Sequence, residues 1–215
     1  GEPLLHPHIF EIIKMASKNN LNPLLSTNGS LINKEIAEKL MTNGLYAVNI
    51  SLDGSNKEIH DKIRGKKGAY EKVQKAIKLL DFFKKIYNPH FEIGIQSVIQ
   101  KANINNIVDV VLFAENNSAI SRINLNLLMQ PMNTKKTNDW HENKFRHLWP
   151  NNVKERNNLF DRLIELKKND KVSKLLNSIT QLKSFNVYFK NPKKTPKLVK
   201  CNYDKAININ NNGEV

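Results

Sequence analysis

Two spacings of apolar residues alternate along the first 131 positions of the chain. Apolar residues recur three and four positions apart, as on one face of a helix, in residues 9–16, 36–41, 69–86 and 104–115. Between and after them lie short apolar runs or strict alternation, typical of strands, in residues 21–25, 46–52, 91–99 and 123–128. Helices that separate strands in this way predict parallel β/α units joined by right-handed crossovers. The predicted fold class is α/β.

Residues whose side chains could bind a ligand or take part in a reaction follow these predicted strands. They are Ser26, Thr27 and Asn28 after the first strand, Ser51 and Asp53 at the second, Gln96 in the third and Met129 after the fourth. The carboxyl ends of parallel strands share one edge of a sheet, where α/β proteins bind their ligands. The sequence therefore predicts a ligand site at this edge. Neither a G-x-x-x-x-G-K-[ST] phosphate loop nor a G-x-G-x-x-G turn occurs, which disfavours nucleoside triphosphate and NAD as ligands.

The pattern is less regular after residue 131. Apolar spacing predicts one helix around residues 160–166 and a second over residues 172–179, followed by a linker rich in Lys and Pro. Trp140, Phe145 and Trp149 lie just before these helices. They either close the mouth of the site over a substrate or pack in the interior, and packing is the favoured interpretation.

Charge adds one alternative function. The chain carries 34 Lys and Arg against 20 Asp and Glu, a formal net charge of +14, which is typical of proteins that bind polyanions. The basic residues are spread along helical segments, however, and only residues 190–200 form a dense cluster, so a solvated surface is favoured. Nucleic acid is not the favoured partner. A basic non-catalytic α/β module that binds nucleic acid or an acidic protein remains the alternative.

Cysteine content and hydropathy bear on the compartment. The sequence has a single cysteine, Cys201, which excludes an internal disulfide framework and suits a reducing compartment. No run approaches the ~20 apolar residues that cross a bilayer. We therefore expect a cytoplasmic protein without a membrane partner.

Four short motifs now carry a family resemblance. They are Gly1-Glu2-Pro3-Leu4-Leu5, Ser26-Thr27-Asn28-Gly29, Ile50-Ser51-Leu52-Asp53-Gly54, and His60-Asp61 followed by Arg64-Gly65. In this order and spacing they resemble the radical S-adenosylmethionine (radical SAM) superfamily, and the last is similar to the form found in its SPASM-type members. The resemblance covers roughly residues 1–131.

The resemblance implies an architecture in three parts. Residues 1–131 would form a partial (β/α)6 TIM-like barrel that lacks its first strand and cluster loop. Residues 132–200 would form a helical bridge, and residues 201–215 the start of a SPASM or twitch β-hairpin. Cys201 would then be a ligand of an auxiliary iron-sulfur cluster, the alternative being a lone buried cysteine.

The resemblance also implies residue roles. The Gly1-Glu2-Pro3 element would contact the methionyl amino group of SAM, with Glu2 supplying the carboxylate that an ammonium prefers. Ser51 and Asp53 would meet the ribose hydroxyls or the methionyl carboxylate, and Arg64 would pair with that carboxylate. The remaining contacts would come from Ser26, Thr27 and Asn28 along the pocket and from Gln96 and Met129 near the adenosyl group. For His60-Asp61, an acid–base pair and a role at a helix start are both open, and the helix start is favoured.

The implied activity is reductive cleavage of SAM to methionine and a 5′-deoxyadenosyl radical, which abstracts hydrogen from a peptide, protein or small-molecule substrate. The electron donor would be a flavodoxin or ferredoxin. The family holds its [4Fe-4S] cluster with a Cys-x3-Cys-x2-Cys loop, and this sequence has none. We expect that loop to precede Gly1, since it lies upstream of the Gly-Glu-Pro element in the family. The chain as given would then be inactive without it.

Overall fold

The computed structural model describes residues 1–131, 134, 135, 137 and 139–192. A short 3-10 helix, Pro3–Leu5, opens the chain. The longer elements are α1 (Ile9–Lys18), β1 (Leu24–Thr27), α2 (Lys34–Thr42), β2 (Ala47–Ser51), α3 (Lys57–Arg64), α4 (Ala69–Tyr87), β3 (Glu92–Ile99), α5 (Ile107–Asn116), β4 (Arg122–Leu127), α6 (Val153–Lys168) and α7 (Ile179–Lys190).

The four strands form one parallel sheet in the order β1-β2-β3-β4. Each strand pairs with the next one along the chain, and at least one helix lies between them in sequence. This is the consecutive β/α arrangement that the alternating pattern predicts, so the α/β prediction is confirmed. One face of the sheet carries the apolar core, in which Val48, Ile50, Ile93 and Ile123 are fully buried.

Asparagine or serine side chains cap the starts of α2, α3, α6 and α7. Asn33 caps α2 by accepting a hydrogen bond from the backbone N–H of Ile36 at 2.8 Å, and Asn56 caps α3 through Ile59 N at 3.0 Å. Ser178 forms a reciprocal capping box with Gln181 at the start of α7. These side chains satisfy free N–H groups in the first turn of each helix that they cap.

The predicted helix over residues 172–179 is wrong. Leu175 instead pairs in parallel with Ile123 along the outer edge of β4, and Leu176 N donates to Ile123 O at 2.9 Å. The side chain of Asn177 extends this pairing by exchanging two hydrogen bonds, at 2.8 and 3.0 Å, with the backbone of Leu125. The open edge of β4 offers unpaired backbone groups, and satisfying them outweighs the helical spacing of the apolar residues.

The aromatic residues after β4 pack in the interior. Trp140 and Trp149 are 9% and 5% exposed, and their rings meet edge to face at 5.4 Å. Tyr188 and Phe189 of α7 complete this cluster around Trp149. These contacts match the packing interpretation.

No helix in the described part of the chain is long and apolar enough to cross a membrane. The predicted hairpin, residues 201–215, lies outside the described residues.

Candidate functional site

The sheet has a polar face opposite its apolar core. Side chains of paired residues in neighbouring strands point to the same side, so the register defines rows across the sheet. One row joins Ser26, Asn49, Gly94 and Arg122, and a second, nearer the carboxyl edge, joins Ser51, Gln96 and Asn124. We call the surface that these two rows form the polar face.

An ion pair closes the amino end of this face. Arg122 pairs with Glu92 and donates to Asn49 Oδ1 at 3.3 Å, which takes its side chain across β3 to β2. Only glycine leaves room for that path, because a Cβ at Gly94 would lie 2.5 Å from Asn49 Oδ1 and 3.1 Å from Arg122 Nε. Burial lowers the pKa of the Arg122 guanidinium, while Tyr46 opposes the shift. The pair leaves this end of the face without a net charge.

Glu2 lies at the carboxyl end of β1. Its Oε1 accepts hydrogen bonds from Thr27 Oγ1 at 2.7 Å and from Leu4 N at 3.3 Å, and its Oε2 accepts one from Asn28 N at 2.9 Å. The Gly-Glu-Pro element and the Ser-Thr-Asn-Gly turn, 25 residues apart, therefore form one cluster. No described cationic side chain pairs with this carboxylate.

Asp53 follows β2 and is buried, with a relative exposure of 3%. Its Oδ2 pairs with Arg64 Nη2 at 2.7 Å. Its Oδ1 accepts from Val98 N at 2.8 Å, and Ser97 Oγ lies at 3.5 Å. The carboxylate thus links β2, the end of α3 and the carboxyl end of β3.

The backbone of Asp53 is held as well. Its N–H donates to His60 Nδ1 at 3.1 Å, and its carbonyl accepts from Asn103 Nδ2 at 2.9 Å. Asn103 also donates to Val98 O at 2.9 Å, so it bridges the ends of the two strands. We call Asp53, His60, Arg64 and Asn103 the strand-end clamp.

His60 and Asp61 point to different partners. His60 is buried in the clamp, and burial lowers its pKa, with a smaller contribution from Arg64 and opposition from Asp53 and Asp61. Asp61 accepts from Gly68 N at 2.6 Å and Tyr70 N at 2.8 Å, which caps the start of α4 and lowers the pKa of Asp61. The two side chains therefore have separate hydrogen-bond partners, and those of Asp61 lie at the start of the following helix.

The other predicted site residues are more dispersed. Ser26 is exposed on the polar face, and Ser51 lies beside Gln96 in the sheet register. Met129 lies two residues beyond β4 with 70% of its surface exposed. Gly1 is exposed and Pro3 begins the 3-10 helix. Cys201 lies outside the described residues.

Sequence reasoning did not select several polar residues of this region. They are Asn49, Glu92, Arg122, Asn124 and Asn126 on the sheet and Asn103 in the clamp. A signal for three of them, Asn49, Asn124 and Asn126, was present, since alternation within residues 47–51 and 123–127 places every polar residue of each strand on one face. Asn103 gives no such signal, because it lies in the loop after β3 and its hydrogen bond to Asp53 spans 50 residues of sequence.

A surface groove lies apart from the predicted site. A surface groove of about 640 Å³ opens between the start of α3 and the outer side of α4, and none of the predicted site residues lines it. Its walls are mainly exposed Lys and Glu side chains. No group of three His, Cys, Asp or Glu residues that could hold a metal ion occurs among the residues that the structure describes.

Comparison with known proteins gives a family match for the first part of the chain. Residues 1–98 match the family model of the radical SAM superfamily. The AdoMet-dependent heme synthase of Methanosarcina barkeri is 34% identical over 121 residues, which cover 56% of this chain and 33% of that protein. The mycofactocin maturase MftC of Mycolicibacterium smegmatis is 31% identical over 124 residues, covering 57% of this chain and 30% of that protein.

Solved structures give the same fold. Streptococcus suis SuiB bound to S-adenosylmethionine has a TM-score of 0.55 at 17% identity, covering 81% of this chain and 35% of that chain. SuiB bound to precursor peptide SuiA has a TM-score of 0.57 at 16% identity, over 81% of this chain and 36% of that one. At these identities the likeness concerns the fold alone, and it supports the TIM-like arrangement of the β/α units.

The chain matches the radical SAM superfamily model over residues 1–98, as the motifs predict. It spans about a third of the length of the curated relatives named above. The alternative of a basic binding module depends on residues 190–200, most of which lie outside the described residues.

Proposed function

We propose that the protein containing this chain is a radical SAM enzyme that modifies a peptide substrate and binds SAM at the carboxyl ends of β1, β2 and β3. The superfamily assignment is the coarse part of this statement. The residues that contact SAM, the substrate class and the further domain are the proposal.

The proposal rests on a hydrogen-bond acceptor site of the Glu2 carboxylate that no described donor occupies. An ionised carboxylate offers about four lone-pair sites. Thr27 Oγ1, Leu4 N and Asn28 N occupy three of them, two on Oε1 and one on Oε2. One site on Oε2 remains, next to a turn whose Asn28 side chain is exposed. A carboxylate fixed by three donors and not neutralised by a described cation suits the ammonium of the methionyl group.

Neighbouring residues on the polar face suit the rest of SAM. Ser51 and Gln96 are side by side and half-buried, and they offer a hydroxyl and an amide to ribose or adenine. Ser26 lies on the same face beside β2. The face presents uncharged donors and acceptors near its carboxyl edge, which suits a polar ligand with several hydrogen-bonding groups.

The iron-sulfur cluster does not fit these residues. A [4Fe-4S] cluster is held by cysteine thiolates, and the 215 residues contain one cysteine. Its ligands would have to come from residues other than these. In the proposal Cys201 is a candidate ligand of an auxiliary cluster in a SPASM or twitch domain, and an electron donor such as flavodoxin or ferredoxin completes the system.

A peptide substrate has support from one solved structure with the same fold, SuiB, which was determined with its precursor peptide. Bound SAM would supply a 5′-deoxyadenosyl radical that abstracts a hydrogen atom from the substrate. What this chain contributes is the binding of SAM and its orientation towards the polar face.

The proposal is tested by SAM-dependent formation of 5′-deoxyadenosine. The whole protein, with the sequence that flanks these residues in its gene, is reconstituted anaerobically with iron and sulfide, reduced, and supplied with SAM. We expect 5′-deoxyadenosine with the wild type and a large loss with Glu2→Gln at the same iron content. Absence of the product in a wild-type sample with confirmed cluster content would contradict the proposed enzyme.

A further inference from the structure

We infer that Asp53 and Arg64 are positioning residues that hold the carboxyl ends of β2 and β3 together, rather than residues that contact SAM. The inference rests on the proposed function and changes the role of two residues within it. It gives the strand-end clamp the task of keeping Ser51 and Gln96 side by side.

The hydrogen bonds of Asp53 argue against a ligand contact. Its carboxylate is 4% exposed and is bound by the Arg64 guanidinium, by Val98 N and more distantly by Ser97 Oγ. A buried carboxylate is stable only when such donors replace water. Here these donors come from the protein itself. One lone-pair site remains on Oδ2, but that oxygen is already paired with Arg64 and the side chain is enclosed, which leaves a ribose hydroxyl no open approach.

Arg64 is limited in the same way. Its Nη2 is bound to Asp53 Oδ2 at 2.7 Å, and its side chain is 31% exposed. A methionyl carboxylate bound to the same nitrogen would lie close to the Asp53 carboxylate. Like charges at that distance repel, and in a partly buried site they are poorly screened. We therefore assign the Arg64 guanidinium to the ion pair with Asp53 rather than to a bound ligand.

The clamp acts on the strand ends through the backbone. Asp53 is fixed at its N–H by His60, at its carbonyl by Asn103, and at its carboxylate by Arg64 and Val98. One residue earlier, Leu52 N donates to Gln96 O at 2.9 Å. Ser51 and Gln96 lie immediately before these fixed points, in register with each other. Loss of the clamp would let the two strand ends separate and misplace this pair.

A ligand comparison distinguishes positioning from contact. Binding of SAM and of decarboxylated SAM, which lacks the methionyl carboxylate, is measured by calorimetry on the reconstituted whole protein for the wild type, Arg64→Ala and Arg64→Lys. A positioning role predicts that Arg64→Ala weakens both ligands by the same factor, on the order of tenfold, and that Arg64→Lys restores part of the loss for both. A contact with the carboxylate predicts that Arg64→Ala weakens SAM alone, so that the preference for SAM over its analogue falls towards one. That second result would overturn the inference.

Amide hydrogen exchange gives a readout that needs no ligand. Asp53→Asn and Arg64→Ala should speed exchange in residues 51–54 and 97–98 while leaving α1 and α2 unchanged. Glu115→Gln is a matched control far from the clamp. Glu115 also accepts hydrogen bonds from a hydroxyl, Ser173 Oγ at 2.7 Å, and from a backbone N–H, that of Lys174 at 2.9 Å. Unchanged exchange at both strand ends in the Asp53 and Arg64 variants would overturn the inference. A wild type that binds neither ligand would count against the proposed function, whereas the exchange pattern still decides whether the clamp couples the strands.

Discussion

Two carboxylates at neighbouring strand ends differ in how completely the protein satisfies them. Glu2, beside the end of β1, is half-buried and accepts three hydrogen bonds from neutral donors. Asp53, after β2, is buried and pairs with the Arg64 guanidinium as well as with a backbone N–H. Both belong to motifs that resemble the same cofactor site.

The difference separates a residue that is available to a ligand from one that supports the scaffold. The Glu2 cluster leaves a negative charge and one acceptor site free, which suits an incoming cation. The clamp leaves Asp53 neutralised and enclosed. In the proposed function these two residues therefore have different roles, ligand contact for Glu2 and strand positioning for Asp53, and the distinction rests on their hydrogen-bond and ion-pair partners.

Removal of Asp53 should have the largest effect. Asp53→Ala leaves the N–H of Val98 unpaired in the interior and Arg64 without its counterion. Breaking a buried ion pair on one side costs about 3–5 kcal/mol, and we expect about 3 kcal/mol because Arg64 keeps partial contact with water. The free energy of unfolding is measured by urea denaturation.

Two further variants calibrate this value. Asp53→Asn keeps an acceptor for Val98 N and should cost less than Asp53→Ala. Ser26→Ala changes an exposed side chain and should stay within about 0.5 kcal/mol of the wild type. An Asp53→Ala protein as stable as Ser26→Ala would show that the clamp does not stabilise the sheet edge.

Glu2→Gln should affect ligand binding more than folding. The variant removes the charge and turns one acceptor into a donor that faces Asn28 N. A hydrogen bond to a charged group contributes about 1.5–3 kcal/mol, so we expect SAM affinity to fall by at least about tenfold. The free energy of unfolding should fall by only about 1 kcal/mol, because the carboxylate is half-buried.

Titration calorimetry of the reconstituted whole protein measures the affinity. The control is Glu11→Gln, which neutralises an exposed glutamate on α1 whose partner is His8 at 3.2 Å. If Glu2→Gln and Glu11→Gln bind SAM equally well, Glu2 is not a ligand and the contrast with Asp53 disappears.

Local and periodic features of this molecule could be predicted from the sequence. The apolar periods of 2.0 and 3.6 residues predict the four strands and helices α1, α2, α4 and α5, and Asn33 is recognisable as a cap because its partner lies three residues away. The position of the candidate site at the strand ends is a prediction from parallel topology. These features depend on neighbours in sequence or on a regular pattern.

Features built from distant partners could not be predicted. Asp53 and Val98 are 45 residues apart, and Asn177 and Leu125 are 52 apart. Nothing near residue 175 indicates that the edge of β4 is available for pairing, so the apolar spacing of residues 172–179 predicts a helix. The pairing of Arg64 with Asp53 likewise depends on how α3 returns to the end of β2.

The smallest expected effect is the pH dependence that His60 gives the clamp. His60 accepts from Asp53 N through Nδ1, so the neutral ring suits the fold, and burial lowers its pKa below the ordinary value of 6.5. Arg64 favours the neutral ring, whereas Asp53 and Asp61 favour the charged one; Tyr70 contacts its edge. Below pH 6.5 the unfolded chain binds a proton that the folded protein does not bind. The stability that neutral His60 contributes is therefore complete above that pH and is lost as pH falls through the lowered pKa of His60.

His60→Asn keeps an acceptor without a titrating group. The slope of its unfolding free energy against pH should be smaller than that of the wild type between about pH 7 and 5, by the equivalent of up to about one bound proton. His90→Asn, at an exposed position, should leave the slope unchanged. Equal slopes for wild type and His60→Asn would mean that the clamp tolerates a charged imidazole, and the enclosed character assigned to the end of β2 would then be wrong.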